Sequence, residues 1–322
     1  MCGIAGYLSN EPFRNNGKMF RKLLLEIQHR GELATGVLWA KGNKIEMKKA
    51  PYKASVFLKY DIDIPNTVTT NIMVGHTRMP TGGNPEDNRE NHPHVYGSWI
   101  VVHNGVLYNE NDLYEDMKVK KVLECDSAVI PIVFQRYGFR KGLERLEGSF
   151  AIAAVNKQNP TRIYLAHSNS YSSPLYVGKA DWGMVFSSME QSVKKYSRSY
   201  FEASASKWYI YEKGKQVEAD AFKELKVVPN YKGFYEGYAN GKFGYYNWED
   251  YYYKNYKKYG KKEDEKVAST VSNDGSVEYP YYEDEYDQYW KDDESGTYYG
   301  LRKAKALPPG KDKKENGKTV FC

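Results

Sequence analysis

A cysteine stands directly behind the initiator methionine, heading the run Met1-Cys2-Gly3-Ile4-Ala5-Gly6-Tyr7. Methionine is normally trimmed before a small residue. Trimming would leave Cys2 with a thiol and a free α-amine. Such a residue is nucleophile and proton shuttle at once: the thiol attacks, and the amine, with a pKa of ~8, carries the proton near neutrality. The bland alternative is that position 2 merely tolerates a small side chain, and Cys2 alone does not decide between the two.

Other chemistry-bearing residues follow in order. Residues 75–83 read Gly-His-Thr-Arg-Met-Pro-Thr-Gly-Gly, residues 91–94 read Asn-His-Pro-His, and residues 100–105 read Ile-Val-Val-His-Asn-Gly. Asn104 and Gly105 follow an apolar run expected to be a strand over 99–103. A strand ending in Asn-Gly can aim a side-chain amide and a backbone N–H at one point, which is what a developing oxyanion requires. The plain alternative for Asn-Gly is a turn. Arg78 can pair with a carboxylate through its fork, and Asp126 can accept from an ammonium, so the two suit a free amino-acid head group. A surface ion pair for Arg78 and a helix N-cap for Asp126 are the structural alternatives. His92 and His94 are spaced like ligands, but no third donor lies near them in sequence, so no metal is expected.

In order and spacing, these segments resemble the glutaminase domain of the class II glutamine amidotransferases, from Cys2 to about residue 215. The resemblance implies the four-layer αββα sandwich of the N-terminal nucleophile hydrolases, an α+β fold. It implies catalytic roles for Cys2, Asn104 and Gly105. It places glutamine against Arg78, Thr81, Gly82 and Asp126, with Thr81 and Gly82 on a loop that closes over the substrate. It calls for no cofactor, and it implies glutamine as substrate and a synthase that consumes the ammonia. Some residues depart from the family pattern: Met79-Pro80 after Arg78, Gly82 where one branch has histidine, and Glu32-Leu33 after the first helix. Two other readings stay open at this stage. One is an amidohydrolase acting on a γ-glutamyl or other small amide without transfer. The other is a non-catalytic interaction module.

Composition narrows the class. Three cysteines in 322 residues, at positions 2, 125 and 322, suggest neither a disulfide framework nor a zinc cluster. They fit a reducing cytoplasm, which would be the host's for a viral product. No signal peptide or membrane-spanning run is expected. A net charge of +6 without a basic stripe does not indicate nucleic-acid binding.

These groups need elements to position them. Strands are expected over residues 4–8, 36–40, 44–48, 72–76, 99–103, 150–155, 163–166, 174–177, 185–187 and 208–211. Helices are expected over 19–28, 111–117, 126–137 and 188–194. Many short strands with few helices suit layered antiparallel sheets rather than a βαβ series. Composition then changes near residue 230. Residues 231–322 hold 17 of the 31 tyrosines but only six Val, Leu, Ile or Met residues. Such a segment cannot bury enough apolar area to offset its ordering entropy. The expected division is a glutaminase domain over 1–227 and a Tyr-rich, charged, largely disordered tail over 228–322. No synthase motif is apparent in that tail, so the ammonia acceptor is expected in trans.

Overall fold

The computed structural model describes residues 2–41, 44–169 and 173–224, and the expected tail lies outside these residues. The chain begins with β1 (Gly3–Ser9), α1 (Asn16–Ile27), β2 (Ala34–Lys41), β3 (Lys44–Ala50), α2 (Ala54–Tyr60) and β4 (Ile72–Arg78). It continues through β5 (His94–Tyr96), β6 (Trp99–Leu107), α3 (Glu110–Met117), α4 (Ile130–Tyr137), α5 (Phe139–Leu143), β7 (Gly148–Asn156) and β8 (Asn159–His167). The last elements are β9 (Tyr176–Ala180), β10 (Gly183–Ser187), α6 (Glu190–Tyr196), β11 (Ser199–Glu202), β12 (Lys207–Glu212) and β13 (Lys215–Ala221).

The strands form two antiparallel sheets. The first has seven strands in the order β11-β9-β10-β1-β4-β2-β3, and the second has six in the order β13-β12-β8-β7-β6-β5. Side-chain alternation stacks them. Along β1, Ile4 and Leu8 join a core shared with Ile100 and Val102 of β6, whereas Ala5 and Tyr7 pack with Phe20, Leu23 and Leu24 of α1. In β6 the other face, Trp99 and Val101, meets Val133, Phe134 and Phe139 of α4 and α5. Sheets buried on both faces read as near-continuous apolar runs, which is why 99–102 and 150–155 carry so little polarity. The result is the expected αββα sandwich.

Helix α1 follows from its pattern: Met19, Phe20, Leu23, Leu24 and Ile27 recur at helical spacing and are all buried. The expected helix over 126–137 divides into a 3-10 turn at Asp126–Val129 and then α4, with Pro131 in the first turn of α4, where its missing N–H costs least. Asp126 is therefore the first residue of that turn, and the N-cap position belongs to Cys125. A second difference concerns Asn104 and Gly105. They do not end the strand; β6 runs through them to Leu107, paired with Ala151 and Phe150 of β7. Gly105 holds φ at +132°, and a Cβ there would lie 1.8 Å from the Ser149 carbonyl oxygen, so only glycine fits.

Candidate functional site

The central position of β1 places Cys2. The register of β1 on β4 pairs Gly3 with Thr77, so Cys2 falls beside the end of β4. There the Met79 N–H donates to Cys2 Sγ at 3.3 Å, and the thiol contacts the Met79 carbonyl at 3.3 Å. Arg30 Nε donates to the Cys2 carbonyl at 2.7 Å, fixing the backbone under the thiol. Burial pushes the Cys2 thiol above its ordinary pKa, partly offset by the Met79 amide. Burial thus works against a thiolate at this position.

The second sheet supplies the other half. The His76 ring Nε2 bonds the His103 carbonyl across the sheets at 3.1 Å, and the His103 ring Nδ1 meets Ser127 Oγ at 2.7 Å. Burial drives His76 down to about 3 and holds His103 below its usual range, so both imidazoles are neutral structural braces. Ser188, just past β10, joins β1 to β6. Its Oγ accepts from Ile4 N–H at 3.0 Å and from Asn104 Nδ2 at 2.8 Å, and its own N–H donates to the Ile4 carbonyl. An amide nitrogen carries two hydrogens, so Asn104 keeps a second N–H while Ser188 holds the first.

Cys2, Thr81, Asn104 and Gly105 line one cavity of about 130 Å³, with Arg30, Met79, Val106, Tyr108, Ser149 and Ser173 completing its wall. By this measure one water needs roughly 10–15 Å³, so the cavity has room for a small molecule such as one amino acid. A larger hollow of about 310 Å³ beside Trp39 and Pro65 contains no thiol or imidazole and is remote from Cys2 in the fold.

Arg78, Gly82 and Asp126 lie outside that lining. Arg78 is only 1% exposed. Its Nη1 donates to Asn91 Oδ1 at 2.7 Å and its Nη2 to the Gly82 carbonyl. In this arrangement Arg78 braces the 79–83 loop from beneath rather than presenting its fork to the cavity. Asp126 fastens the end of β6: Oδ2 accepts from Leu107 N–H at 2.7 Å and Oδ1 from Ser127 N–H at 2.8 Å. Glu90 clamps the neighbouring segment, accepting from Glu124 N–H at 3.0 Å and Cys125 N–H at 2.8 Å.

The sequence did not single out Ser188, Glu90, Asn91 or Tyr108. Their partners lie up to 184 residues away, and no local pattern announces them. The fold also supplies what spacing lacked around His92 and His94. Cys125 arrives from a distant segment, and one ligand atom from each of the three lies within 4.8 Å of the others.

Residues 76–195 match the glutamine amidotransferase domain family. The chain is 26% identical over 263 residues to a glutamine–fructose-6-phosphate aminotransferase (isomerizing) of Helicobacter pylori, covering 76% of this chain and 41% of that one. It is 34% identical over 193 residues to the enzyme of the same name from Pyrobaculum aerophilum, covering 55% and 31%. The chain thus spans well under half the length of these relatives. In structure it resembles a glutamine phosphoribosylpyrophosphate amidotransferase from B. subtilis, with a TM-score of 0.58 at 20% identity over 70% of this chain and 50% of that one. That last likeness concerns the fold alone. With the family match and the two-sheet architecture, the chain carries a class II glutamine amidotransferase domain with the fold of the N-terminal nucleophile hydrolases.

Proposed function

We propose that the domain hydrolyses glutamine to glutamate and ammonia once Met1 is removed. The observation that carries this reading is the single small cavity lined by both Cys2 and the Asn104-Gly105 pair. The Cys2 sulfur attacks the side-chain amide carbon while its proton passes to the Cys2 α-amine. The carbonyl oxygen takes the electron pair and is met by the free Asn104 N–H and the Gly105 N–H. Collapse breaks the C–N bond, the ammonium proton goes to the leaving nitrogen, and ammonia departs from a glutamyl thioester. Water, deprotonated by the same amine, attacks the thioester; glutamate leaves and the thiol is restored.

Thr81 and Gly82 belong to the loop over the cavity, and Arg78 and Asp126 set the positions of the loop and the strand end. On this reading their contribution to substrate affinity comes through a loop movement that brings Arg78 and Asp126 to the glutamine head group. The ammonia goes to an ammonia-accepting synthase, which residues 231–322, poor in aliphatic side chains, are unsuited to form themselves. A cytoplasmic setting fits the use of a free thiol.

The test is steady-state release of glutamate from glutamine and from a panel of γ-glutamyl amides. Preference for free glutamine, lost in Cys2→Ala, is expected. Turnover of γ-glutamyl amides with none of glutamine would replace this reading by a different amidohydrolase.

A further inference from the structure

His92, His94 and Cys125 are 3%, 4% and 4% exposed, and the catalytic steps above use none of them. Both ring nitrogens of His92 and Nε2 of His94 are buried with no hydrogen-bond partner among the described residues. Buried polar atoms are nearly always paired, so the orphan nitrogens leave each of the two imidazoles one lone pair for an occupant; His76 Nδ1 and His103 Nε2, close to His92, are orphaned as well. Cys125 Sγ lies within 4.8 Å of a ring nitrogen of each histidine and contacts Asp126 Oδ1 at 4.0 Å. From these contacts we propose that His92, His94 and Cys125 form a buried binding site for a thiolate-preferring d¹⁰ cation, with Zn²⁺ as the expected occupant.

The donor set favours this. One thiolate and two imidazoles are zinc ligands, and with three protein donors a water takes the fourth position. Zn–S of ~2.3 Å and Zn–N of ~2.0–2.1 Å put tetrahedral ligand atoms about 3.3–3.6 Å apart. The three atoms here lie within 4.8 Å of one another, so closing on an ion needs about an ångström of side-chain rotation. Burial keeps both imidazoles neutral, which leaves their lone pairs free; it also pushes the Cys125 thiol up to about 12, so binding the cation must release that proton to solvent.

The backbone around the donors is already held. Cys125 N–H is bonded to Glu90 Oε2 at 2.8 Å. Asn91 is fixed by Arg78 and by the Pro85 carbonyl, and Lys49 Nζ bonds the carbonyls of Asn91 and Pro93 on either side of His92. His94 is pinned in β5 opposite Val101. Lys49 and Arg78 bring positive charge towards the cluster; Glu90 and the Cys125 thiolate formed on binding oppose it. A bound ion would staple the segment that carries Asn91, the partner of Arg78, to the segment that carries Asp126. The staple needs no glutaminase activity.

Co²⁺ titration of the full chain reads the site directly, because sulfur ligation gives a ligand-to-metal charge-transfer band in the near ultraviolet. An N-terminal cysteine with a free amine is itself a metal chelator, so the titration uses a Cys2→Ala, Cys322→Ser background in which Cys125 is the remaining thiol. The expected result is one Co²⁺ per chain with a charge-transfer band and tetrahedral visible bands, displaced by Zn²⁺. Zn²⁺ should also raise the thermal midpoint by about a few degrees, as binding to the folded state requires. Adding Cys125→Ser should abolish the band and weaken binding ~100-fold or more, beyond the 10- to 100-fold cost of losing an outer partner. If Cys125→Ser fails to fold, His94→Gln serves instead and should weaken binding while leaving the circular dichroism unchanged. Absence of the band in the folded background protein, or equal affinity in His94→Gln, overturns the site and leaves the cluster to buried water.

Discussion

Ser188→Ala isolates the geometry of the oxyanion strand without touching substrate. Ser188 Oγ accepts from Asn104 Nδ2 at 2.8 Å and from Ile4 N–H at 3.0 Å, and the residue is 2% exposed. Its removal leaves two buried donors. Each unsatisfied group costs about 1–3 kcal/mol, less where water enters, so a stability loss of about 2–4 kcal/mol is expected. The catalytic effect is separate. A neutral hydrogen bond holding the Asn104 amide is worth about 1 kcal/mol. Losing it lets the donor wander and should lower kcat ~5- to 10-fold, since 1.36 kcal/mol is tenfold in rate. KM should hardly move, because the amide acts mainly in the transition state. Asn104→Ala, which removes the donor outright, should cost ~10²–10³ in kcat. The assay is glutamate release at a temperature where chemical denaturation shows both proteins folded. A stability loss with unchanged kcat would make Ser188 purely structural and refute the claim that it positions the oxyanion donor.

Three further outcomes are expected. Arg78→Lys should raise the KM for glutamine at least ~10-fold with a smaller change in kcat, because a single ammonium cannot hold Asn91 and Gly82 together; an unchanged KM would show that the loop does not depend on this brace. Gly105→Ala should lose about 3 kcal/mol or more of stability by chemical denaturation, since its Cβ would collide with the Ser149 carbonyl at a positive φ; a wild-type midpoint would contradict the backbone geometry. The rate of Cys2 alkylation should keep rising above pH ~8.5, the free-thiol value, because burial raises its pKa and the thiolate forms only at higher pH; a plateau near neutrality would mean a preformed thiolate.

Local pattern revealed the elements and distance hid the joints between them. Strand β1 was legible as a short unbroken apolar run and helix α1 because its apolar residues recur with a period of 3.6. Strand β13 was not, since five of its seven residues are exposed and its apolar alternation is weak. Nor was α2, whose seven residues are too few to establish a helical period. Thr81, Asn104 and Gly105 were placed with Cys2 by motif order, and the fold brings them into one cavity. The motif order could not show that Arg78 is turned beneath its loop. That depends on Asn91 and Gly82 offering it oxygen acceptors. The His92, His94 and Cys125 cluster was invisible for the same reason: its third donor is 31 residues from His94 in sequence, and only the clamp of Glu90 on Cys125 closes the gap.

The most direct test of the glutaminase account is mass spectrometry of the chain acid-quenched during turnover with glutamine. The prediction is an N-terminal peptide that begins at Cys2 and carries one glutamyl group on that residue. The group should be labile to thiols and absent from Cys2→Ala, which should release no glutamate. Glutamate release from a chain that retains Met1, or undiminished release from Cys2→Ala, would contradict it.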